Sequence, residues 1–326
     1  MKILVIAKWM VRWNGASRVV YELSRRFQIE HDVKIAAYMD YIDPEWKKGF
    51  DIYPLKHKGL LALSEIRRVV KEFKPDIIHS HDWIGLLTLP SSIPQVATTH
   101  SHWPMSWFFS PTDFIAGIIQ GIPNEIKLHL ADRVVSVSRY GQEVLQNRWI
   151  ESEVIYNGVD ADFFTPTEKI PLNHPAVLFV GTISLSKAGL LTELIELLHQ
   201  QLPSVHVYVI GDPINSGIVQ RLKKLPNTHC LGAIKNVKSY YYESDILLFP
   251  SRVEMFGLVP AEAQACGLPI VAFNVCSLPE VVKNGETGLL VEEGDLHGIV
   301  EGVVKILRDH DLRGKMRRNG IEHTKL

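Results

Sequence analysis

Two glutamates eight positions apart frame the segment whose residue types are best suited to chemistry. Glu254 and Glu262 flank an apolar turn that follows a predicted buried strand and opens a predicted helix over 258–266. A glycine at a helix entrance, here Gly257, lets another molecule approach the backbone closely. Unpaired N–H groups and the helix dipole favour an anion at the same place. We therefore predict that a diphosphate is held by the backbone amides of Phe256, Gly257 and Leu258.

The two glutamates are predicted to have different partners. Glu262 lies one turn into the helix, where its carboxylate can accept hydrogen bonds from two neighbouring ribose hydroxyls. Glu254 lies on the loop before the helix and would face a sugar. Glutamate pairs of this kind are most often solvated surface charges. The strand before this pair and the glycine within it favour a binding site instead.

Four histidines lie in the first half of the chain, at His79, His81, His100 and His102. A His-x-His pattern on a strand puts both rings on one face, so a metal site must be considered. Carboxylates are scarce beside these histidines, since only Asp82 is close in sequence. We therefore predict no metal site, and His79 and His81 are interpreted as strand-end residues.

Short apolar runs alternate with helix-period segments along the chain. Continuous Val, Ile and Leu runs are typical of strands buried on both faces of a parallel sheet. Helical patterns between them predict right-handed crossovers and a doubly wound α/β fold. The predicted strands are Ile3–Ala7, Val33–Ala37, Asp76–His79, Gln95–Thr99, Arg133–Val137, Glu153–Tyr156, Ala176–Gly181, Val205–Ile210, Thr228–Leu231, Asp245–Phe249, Ile270–Phe273 and Gly288–Val291.

The alternation breaks once, in a polar, proline-containing stretch from Asn157 to Pro175. This stretch has turn residues and no sustained period. We predict an N-terminal domain over 1–160, a linker over 161–175 and a C-terminal domain over 176–326. Two Rossmann-like domains of this kind, facing each other across a cleft, would place ligands at the carboxyl ends of both sheets.

Composition excludes several classes of protein. The chain has 326 residues, with 35 Lys and Arg against 36 Asp and Glu, so the basic surplus of a nucleic-acid-binding protein is absent. Its three cysteines have no metal-like spacing and are predicted to be reduced. No apolar run is long enough to span a membrane, and the apolar start of the chain is broken by Lys8 and Arg12. These features predict a cytoplasmic protein that binds no nucleic acid.

Several motifs in the right order resemble glycosyltransferase family four, a family of retaining GT-B enzymes. The segment from Pro250 to Ala272 is similar to its Glu-x7-Glu signature. The resemblance covers nearly the whole chain, and its other motifs are Pro75–Asp82, Ala131–Ser138, Val154–Asp160 and Gly285–Val291. It implies the GT-B fold, with an acceptor-side N-terminal domain and a nucleotide-sugar donor domain at the C-terminus.

The resemblance also implies roles for residues in the C-terminal half. Glu254 would contact the transferred sugar, Glu262 the ribose, and the Phe256–Leu258 amides the phosphates. A family element after the first strand of the second domain corresponds to residues 181–189, starting at Gly181. Lys187 matches its diphosphate lysine, but Thr182 stands where an arginine is expected. Without an arginine at position 182, we expect weaker stabilisation of the leaving diphosphate. Another arginine could replace it, and the candidates are Arg12, Arg18 and Arg252.

In the N-terminal half the resemblance implies two further contacts. Family members place a glycine-rich loop after the first strand, next to the diphosphate and the acceptor. Gly15 matches one of its glycines, and Asn14 occupies the place of the other. His100 matches a histidine that lies against the donor sugar and offers it a hydrogen bond. With Glu254 and Lys187, His100 completes the predicted catalytic set.

The implied reaction is transfer of a hexose, with retention, from a UDP- or GDP-linked sugar to a glycan, lipid-linked or small-molecule acceptor. No metal ion or cofactor is implied, because the nucleotide sugar is a substrate. A sugar-nucleotide epimerase or a phosphorylase on the same fold is an alternative. A non-catalytic nucleotide-sugar binding protein is another, made plausible by Thr182, and a metal-dependent hydrolase is a third.

An aromatic and apolar segment over 103–119 has two interpretations. Helix and core packing accounts for it, and so does an acceptor pocket or a shallow membrane contact for a lipid-linked acceptor. We therefore keep peripheral membrane association as a hypothesis. The resemblance also leads us to expect a final helix that crosses back to the first domain, which residues up to Leu326 do not supply.

Overall fold

The computed structural model describes residues 1–11, 14–58, 61–81, 92–100, 126–160, 165 and 169–325. These residues form two compact units, Met1–Asn157 and Gly158–Leu326. Several positions discussed above lie outside the described residues: Arg12, Asp82, His102, the aromatic segment 103–119, and residues 161–164 and 166–168 of the predicted linker. No helix in the described part of the chain is long and apolar enough to cross a membrane.

The described strands of the first unit form a seven-stranded parallel sheet in the order β3-β2-β1-β4-β5-β6-β7. Strand order reverses between β1 and β4, which is the position where doubly wound sheets bind ligands. The strands are β1 Lys2–Ala7, β2 Asp32–Tyr38, β3 Asp51–Leu55, β4 Ile77–Ser80, β5 Gln95–Thr99, β6 Arg133–Ser136 and β7 Glu153–Val154. The helices are α1 Gly15–Phe27, α2 Pro44–Lys47, α3 Ala62–Phe73 and α4 Arg139–Gln146.

The described strands of the second unit form a six-stranded parallel sheet in the order β10-β9-β8-β11-β12-β13, with the reversal between β8 and β11. The strands are β8 Ala176–Val180, β9 His206–Ile210, β10 Thr228–Gly232, β11 Ile246–Phe249, β12 Ile270–Phe273 and β13 Gly288–Val291. The helices are α5 Leu185–Ala188, α6 Leu191–Gln201, α7 Ser216–Leu222, α8 Val237–Glu243, α9 Leu258–Ala265, α10 Leu278–Val281, α11 Leu296–Arg308 and α12 His310–Thr324.

The twelve predicted strands are all present, with ends that move by at most two residues. The sequence interpretation missed β3, which pairs in parallel with β2 at the edge of the first sheet. This strand begins at an exposed Asp51 and contains Pro54, which has no N–H for a sheet hydrogen bond. Proline is tolerated here because β3 is an edge strand of the sheet.

The central strand of the second unit is apolar on both faces, as predicted for a doubly wound sheet. In β11, Ile246 and Leu248 pack into the apolar cluster that includes residues of α6 and α11. Leu247 and Phe249 pack into the opposite cluster with residues of α8, α9 and α10. The loop that carries Glu254 therefore leaves a strand that is held from both sides.

Two glycines bring the carboxyl ends of β8 and β9 into close contact. Gly181 and Gly211 have φ values of +154° and +155°, which side chains rarely adopt. A Cβ atom on Gly211 would overlap the carbonyl group of Gly181. The Gly181 amide donates to the carbonyl oxygen of Ile210 at 3.0 Å, which continues the sheet hydrogen bonding one residue past the end of β8. This contact sets the backbone from which the Lys187 segment departs.

The close contact predicts that Gly211→Ala destabilises the second unit by about 3 kcal/mol or more, because it combines an unfavourable φ with backbone overlap. Gly294→Ala is the matched control, since Gly294 has a φ of +87° but no atom within 4 Å of its added Cβ. The control should lose only about 1 kcal/mol, from the left-handed conformation. Urea unfolding followed by circular dichroism measures both; equal losses in the two variants would contradict the packing argument.

Candidate functional site

The loop between β11 and α9 is held by hydroxyl groups. The fully buried Ser251 donates from its hydroxyl to the carbonyl oxygen of Val253 at 3.1 Å. Ser277 donates from its hydroxyl to the carbonyl oxygen of Glu254 at 3.1 Å. The carbonyl groups of Val253 and Glu254 are thus both hydrogen-bonded, so the backbone that carries the Glu254 side chain is held in place.

Glu254 and Lys187, which are 67 residues apart in sequence, form an ion pair in the structure. The Lys187 Nζ atom lies 2.5 Å from Oε1 of Glu254. The lysine side chain is 33% exposed and the glutamate 11%, so solvent screens the pair only in part. The backbone amide of Arg252 also donates to the carbonyl oxygen of Ser186 at 2.9 Å, which ties the loop to α5. The structure therefore brings two predicted catalytic residues into direct contact.

Glu262 is a buried carboxylate with a tyrosine partner. Only 8% of Glu262 is exposed, and the hydroxyl of the fully buried Tyr241 donates to its Oε2 at 3.2 Å. The pKa of the nearby Cys266 thiol is raised to about 12, chiefly by burial and also by the negative charge of Glu262. The sequence interpretation missed Tyr241, which is the middle residue of a Tyr240–Tyr242 run. Which of these tyrosines points inward depends on how α8 packs, and three consecutive tyrosines do not indicate which of them faces Glu262.

The start of α9 has an open backbone. Gly257 is its N-cap residue, with φ +96° and ψ +56°, and no side chain in the described part of the chain caps the helix. The first helical amides are therefore available to an anion, whose charge the helix dipole favours. The third helical residue is Pro260, which has no N–H to satisfy. The structure thus keeps the feature on which the predicted diphosphate site depends.

The segment after β8 contains the predicted Gly181, Thr182 and Lys187 side of this site. Gly181 ends the strand and Thr182 follows it, with its carbonyl oxygen accepting from the amide of Ser184 at 3.0 Å. Thr182 offers no positive charge. Arg252, one candidate replacement for the expected arginine, has its Nε 2.6 Å from Oε1 of Glu293. Lys187 is therefore the cation that the structure places at Glu254.

In the first unit, Asn14 and Gly15 begin α1 just after β1. The Asn14 side chain is the N-cap, and its Oδ1 accepts from the amide of Ser17 at 3.0 Å. The Ser17 hydroxyl donates to the carbonyl oxygen of Trp9 at 2.9 Å. Asn14 thus has a structural role in starting the helix that the sequence interpretation did not assign to it.

His79, His81 and His100 form a cluster at the carboxyl ends of β4 and β5. The ring centroids of His79 and His81 are 4.2 Å apart, and those of His81 and His100 are 5.2 Å apart. The pKa of His79 is lowered to about 4 and that of His100 to about 3, chiefly by burial and also by the positive charge of Lys127. Both rings are therefore neutral at pH 7.

The cluster is not arranged as a metal centre. Among the residues that the structure describes, no group of three or more His, Cys, Asp or Glu side chains is placed to hold a metal ion. His79 instead has its Nε2 2.8 Å from the hydroxyl oxygen of Thr98.

The predicted site residues lie in both units. Asn14, Gly15 and His100 belong to the first unit, and the others belong to the second.

The chain is similar to known proteins along its whole length. A family model described as Glycosyl transferases group 1 matches residues 160–323, and one described as Glycosyltransferase Family 4 matches residues 13–163. A D-inositol 3-phosphate glycosyltransferase from Mycobacterium sp. (strain KMS) is 28% identical, over 85% of this chain and 69% of that protein.

Solved structures share the fold. Sucrose-phosphate synthase from Thermosynechococcus elongatus has a TM-score of 0.82 at 21% identity, over 100% of this chain and 94% of that one. The Anabaena protein Alr3699/HepE, solved in complex with UDP-glucose, has a TM-score of 0.80 at 19% identity. The match covers 100% of this chain and 94% of that one. With the two parallel sheets described above, this likeness confirms the predicted GT-B fold class of two Rossmann-like domains.

The group 1 model covers half of the chain, and the family 4 model covers nearly all of the rest. The family resemblance predicted from the sequence is therefore confirmed. The chain belongs to the group 1 glycosyltransferases.

Proposed function

We propose that this transferase moves a hexose, with retention of anomeric configuration, from a UDP- or GDP-linked sugar to a glycan, lipid-linked or small-molecule acceptor. The observation that carries the proposal is the ion pair between Lys187 of α5 and Glu254, which lies on the loop that leads into the uncapped start of α9. A cation and the amides of an uncapped helix start together suit a diphosphate leaving group.

Charge stabilisation is the main catalytic contribution that we assign to the second unit. Negative charge builds on the diphosphate as its bond to the sugar breaks. Lys187 and the first amides of α9 are fixed partners for that charge, and fixed partners stabilise a transition state more than mobile water does. Because these groups supply the positive charge, the proposal requires no metal ion. Thr182 makes the contribution of Lys187 larger, since no second cation stands at that position.

Glu254 is assigned to binding rather than to nucleophilic attack. Its carboxylate is paired with Lys187 before the donor binds, and we propose that it accepts hydrogen bonds from the donor sugar once Lys187 binds the diphosphate. In the proposed reaction the diphosphate departs, the sugar develops oxocarbenium character, and the acceptor attacks from the same face. The departing diphosphate accepts the proton of the acceptor hydroxyl. This route gives retention without the two carboxylates of a retaining glycosidase.

Glu262 and Tyr241 are assigned to the ribose. A carboxylate accepts several hydrogen bonds, and the Tyr241 hydroxyl holds one of its oxygens at 3.2 Å. Because the carboxylate is largely buried, ribose hydroxyls that donate to it would do so in a poorly screened environment.

Residues of the first unit are assigned to the sugar and the acceptor side. We propose that His100 donates a hydrogen bond to the donor sugar, and that the Asn14–Gly15 turn lies next to the diphosphate and the acceptor. The Anabaena protein solved with UDP-glucose supports a nucleotide-sugar donor. Membrane contact through 103–119 stays a hypothesis, since that segment lies outside the described residues.

The proposal predicts that the full chain binds one nucleoside diphosphate more tightly than the others. Calorimetric titration with UDP, GDP and ADP, followed by their common sugars, measures this preference. The preferred donor should be consumed only when an acceptor is present, and NMR should show that the product keeps the donor's anomeric configuration. Failure to bind any of the nucleotides would contradict the proposal, and product formed without an acceptor would indicate an epimerase.

The assignment of Glu262 predicts that Glu262→Gln weakens binding of the preferred nucleoside diphosphate by about tenfold, which is about 1.4 kcal/mol. The same substitution should have almost no effect on binding of the 2′,3′-dideoxy nucleotide, because that nucleotide lacks the two ribose hydroxyls that Glu262 is proposed to bind. Glu301→Gln, on an exposed face of α11, is the control and should change neither affinity. Equal losses for both nucleotides would show that Glu262 does not bind the ribose.

A further inference from the structure

The histidine cluster of the first unit contains one contact that the sequence interpretation did not anticipate. The Nδ1 atom of His81 lies 2.9 Å from Nε2 of His100, and the two ring planes are inclined by 15°. The backbone amide of His81 donates to the carbonyl oxygen of Ile6 at 2.9 Å, which fixes this residue to the end of β1. His100 directly follows β5. The contact therefore joins two residues that are each held by a strand end.

The contact is a hydrogen bond between two neutral rings. Burial is the largest cause that lowers the pKa of His81 and of His100, so neither ring is charged at neutral pH. The charged group that acts on both rings is Lys127, which is only 1% exposed, and its charge opposes a second positive charge in the cluster. The third ring, His79, contacts His81 and lowers its pKa further. A neutral imidazole has one donor and one acceptor nitrogen.

The surroundings of His81 decide which ring donates. Its second nitrogen, Nε2, is buried and has no hydrogen-bond partner among the residues that the structure describes. If Nδ1 of His81 accepted the bond, the proton of this ring would be on Nε2, as a buried N–H without an acceptor. Orphaned buried N–H groups are rarer than unused acceptors, and such a group costs about 1–3 kcal/mol. The favoured arrangement therefore places the proton on Nδ1 of His81, which donates to Nε2 of His100.

We propose that His81 is a positioning residue that sets the tautomer of His100 and makes it a hydrogen-bond donor to its ligand. Since Nε2 of His100 accepts from His81, the proton of His100 is on Nδ1, the nitrogen left for a ligand. This N–H recognises an oxygen lone pair, such as that of a sugar hydroxyl. The inference rests on the proposed function for the role of His100, but the tautomer itself is a property of the protein alone.

The test compares the wild-type full chain with three variants, all with ¹⁵N-labelled histidine rings. In His81→Asn the amide nitrogen takes roughly the place of Nδ1 and can still donate, whereas His81→Leu has no donor. His100→Gln identifies the His100 resonances. Ring ¹⁵N chemical shifts should show His100 protonated on Nδ1 in the wild type and in His81→Asn. In His81→Leu the ring should move toward the Nε2-protonated form that free neutral histidine prefers.

Kinetics with the donor and acceptor found active then measure the consequence. We expect His81→Leu to lower kcat by about tenfold, the value of one hydrogen bond made in the transition state. His81→Asn should recover most of this loss, which a merely structural role of the ring would not predict. Circular dichroism establishes that both variants are folded.

Two results would overturn the proposal: a wild-type His100 protonated on Nε2, or a tautomer that does not respond to His81→Leu. Both are read without a donor or an acceptor. If the proposed function is wrong, the nucleotide titrations will show it, and the NMR result can still be interpreted. If the His100 tautomer is the same in His81→Leu as in the wild type, the role of His81 is rejected even if the protein is an active transferase.

Discussion

The ion pair between Lys187 and Glu254 is the interaction on which the second unit's site depends. The two residues follow β8 and β11, which are neighbours in the sheet although other strands separate them in sequence. This is the point where strand order reverses, so the loops after the two strands diverge and leave room in front of the sheet. A lysine after one strand and a glutamate after the other meet because the topology brings them there.

The ion pair also has a cost for ligand binding. A diphosphate that takes Lys187 as its partner competes with the Glu254 carboxylate, which carries the same sign of charge as the ligand. In our account Lys187 exchanges the Glu254 carboxylate for the diphosphate when the donor binds, and Glu254 then contacts the sugar.

The histidine cluster of the first unit is organised differently. Its rings are neutral, and hydrogen bonds rather than charges arrange them.

The fold followed from the sequence because its signals are local. Continuous apolar runs such as Leu247–Phe249 are hard to place anywhere but in a buried strand, and Gly257 marked the entrance of α9. What the sequence did not reveal depends on packing between distant segments. Whether Tyr241 or its neighbours face Glu262 is decided by how α8 lies on the sheet, and β3 forms because an edge strand tolerates Pro54. The His81–His100 bond joins residues on two strands, so spacing along the chain does not predict which ring donates.

The measurement that tests this account most directly is the affinity of the preferred nucleoside diphosphate, without its sugar, for Glu254→Gln. If Lys187 exchanges Glu254 for the diphosphate, removing the glutamate charge should lower the dissociation constant by about threefold to tenfold, which is about 0.7 to 1.4 kcal/mol. Lys187→Met, measured alongside, should raise it. A dissociation constant that rises about tenfold in a folded Glu254→Gln variant would mean that the carboxylate helps to hold the diphosphate, and would contradict the account.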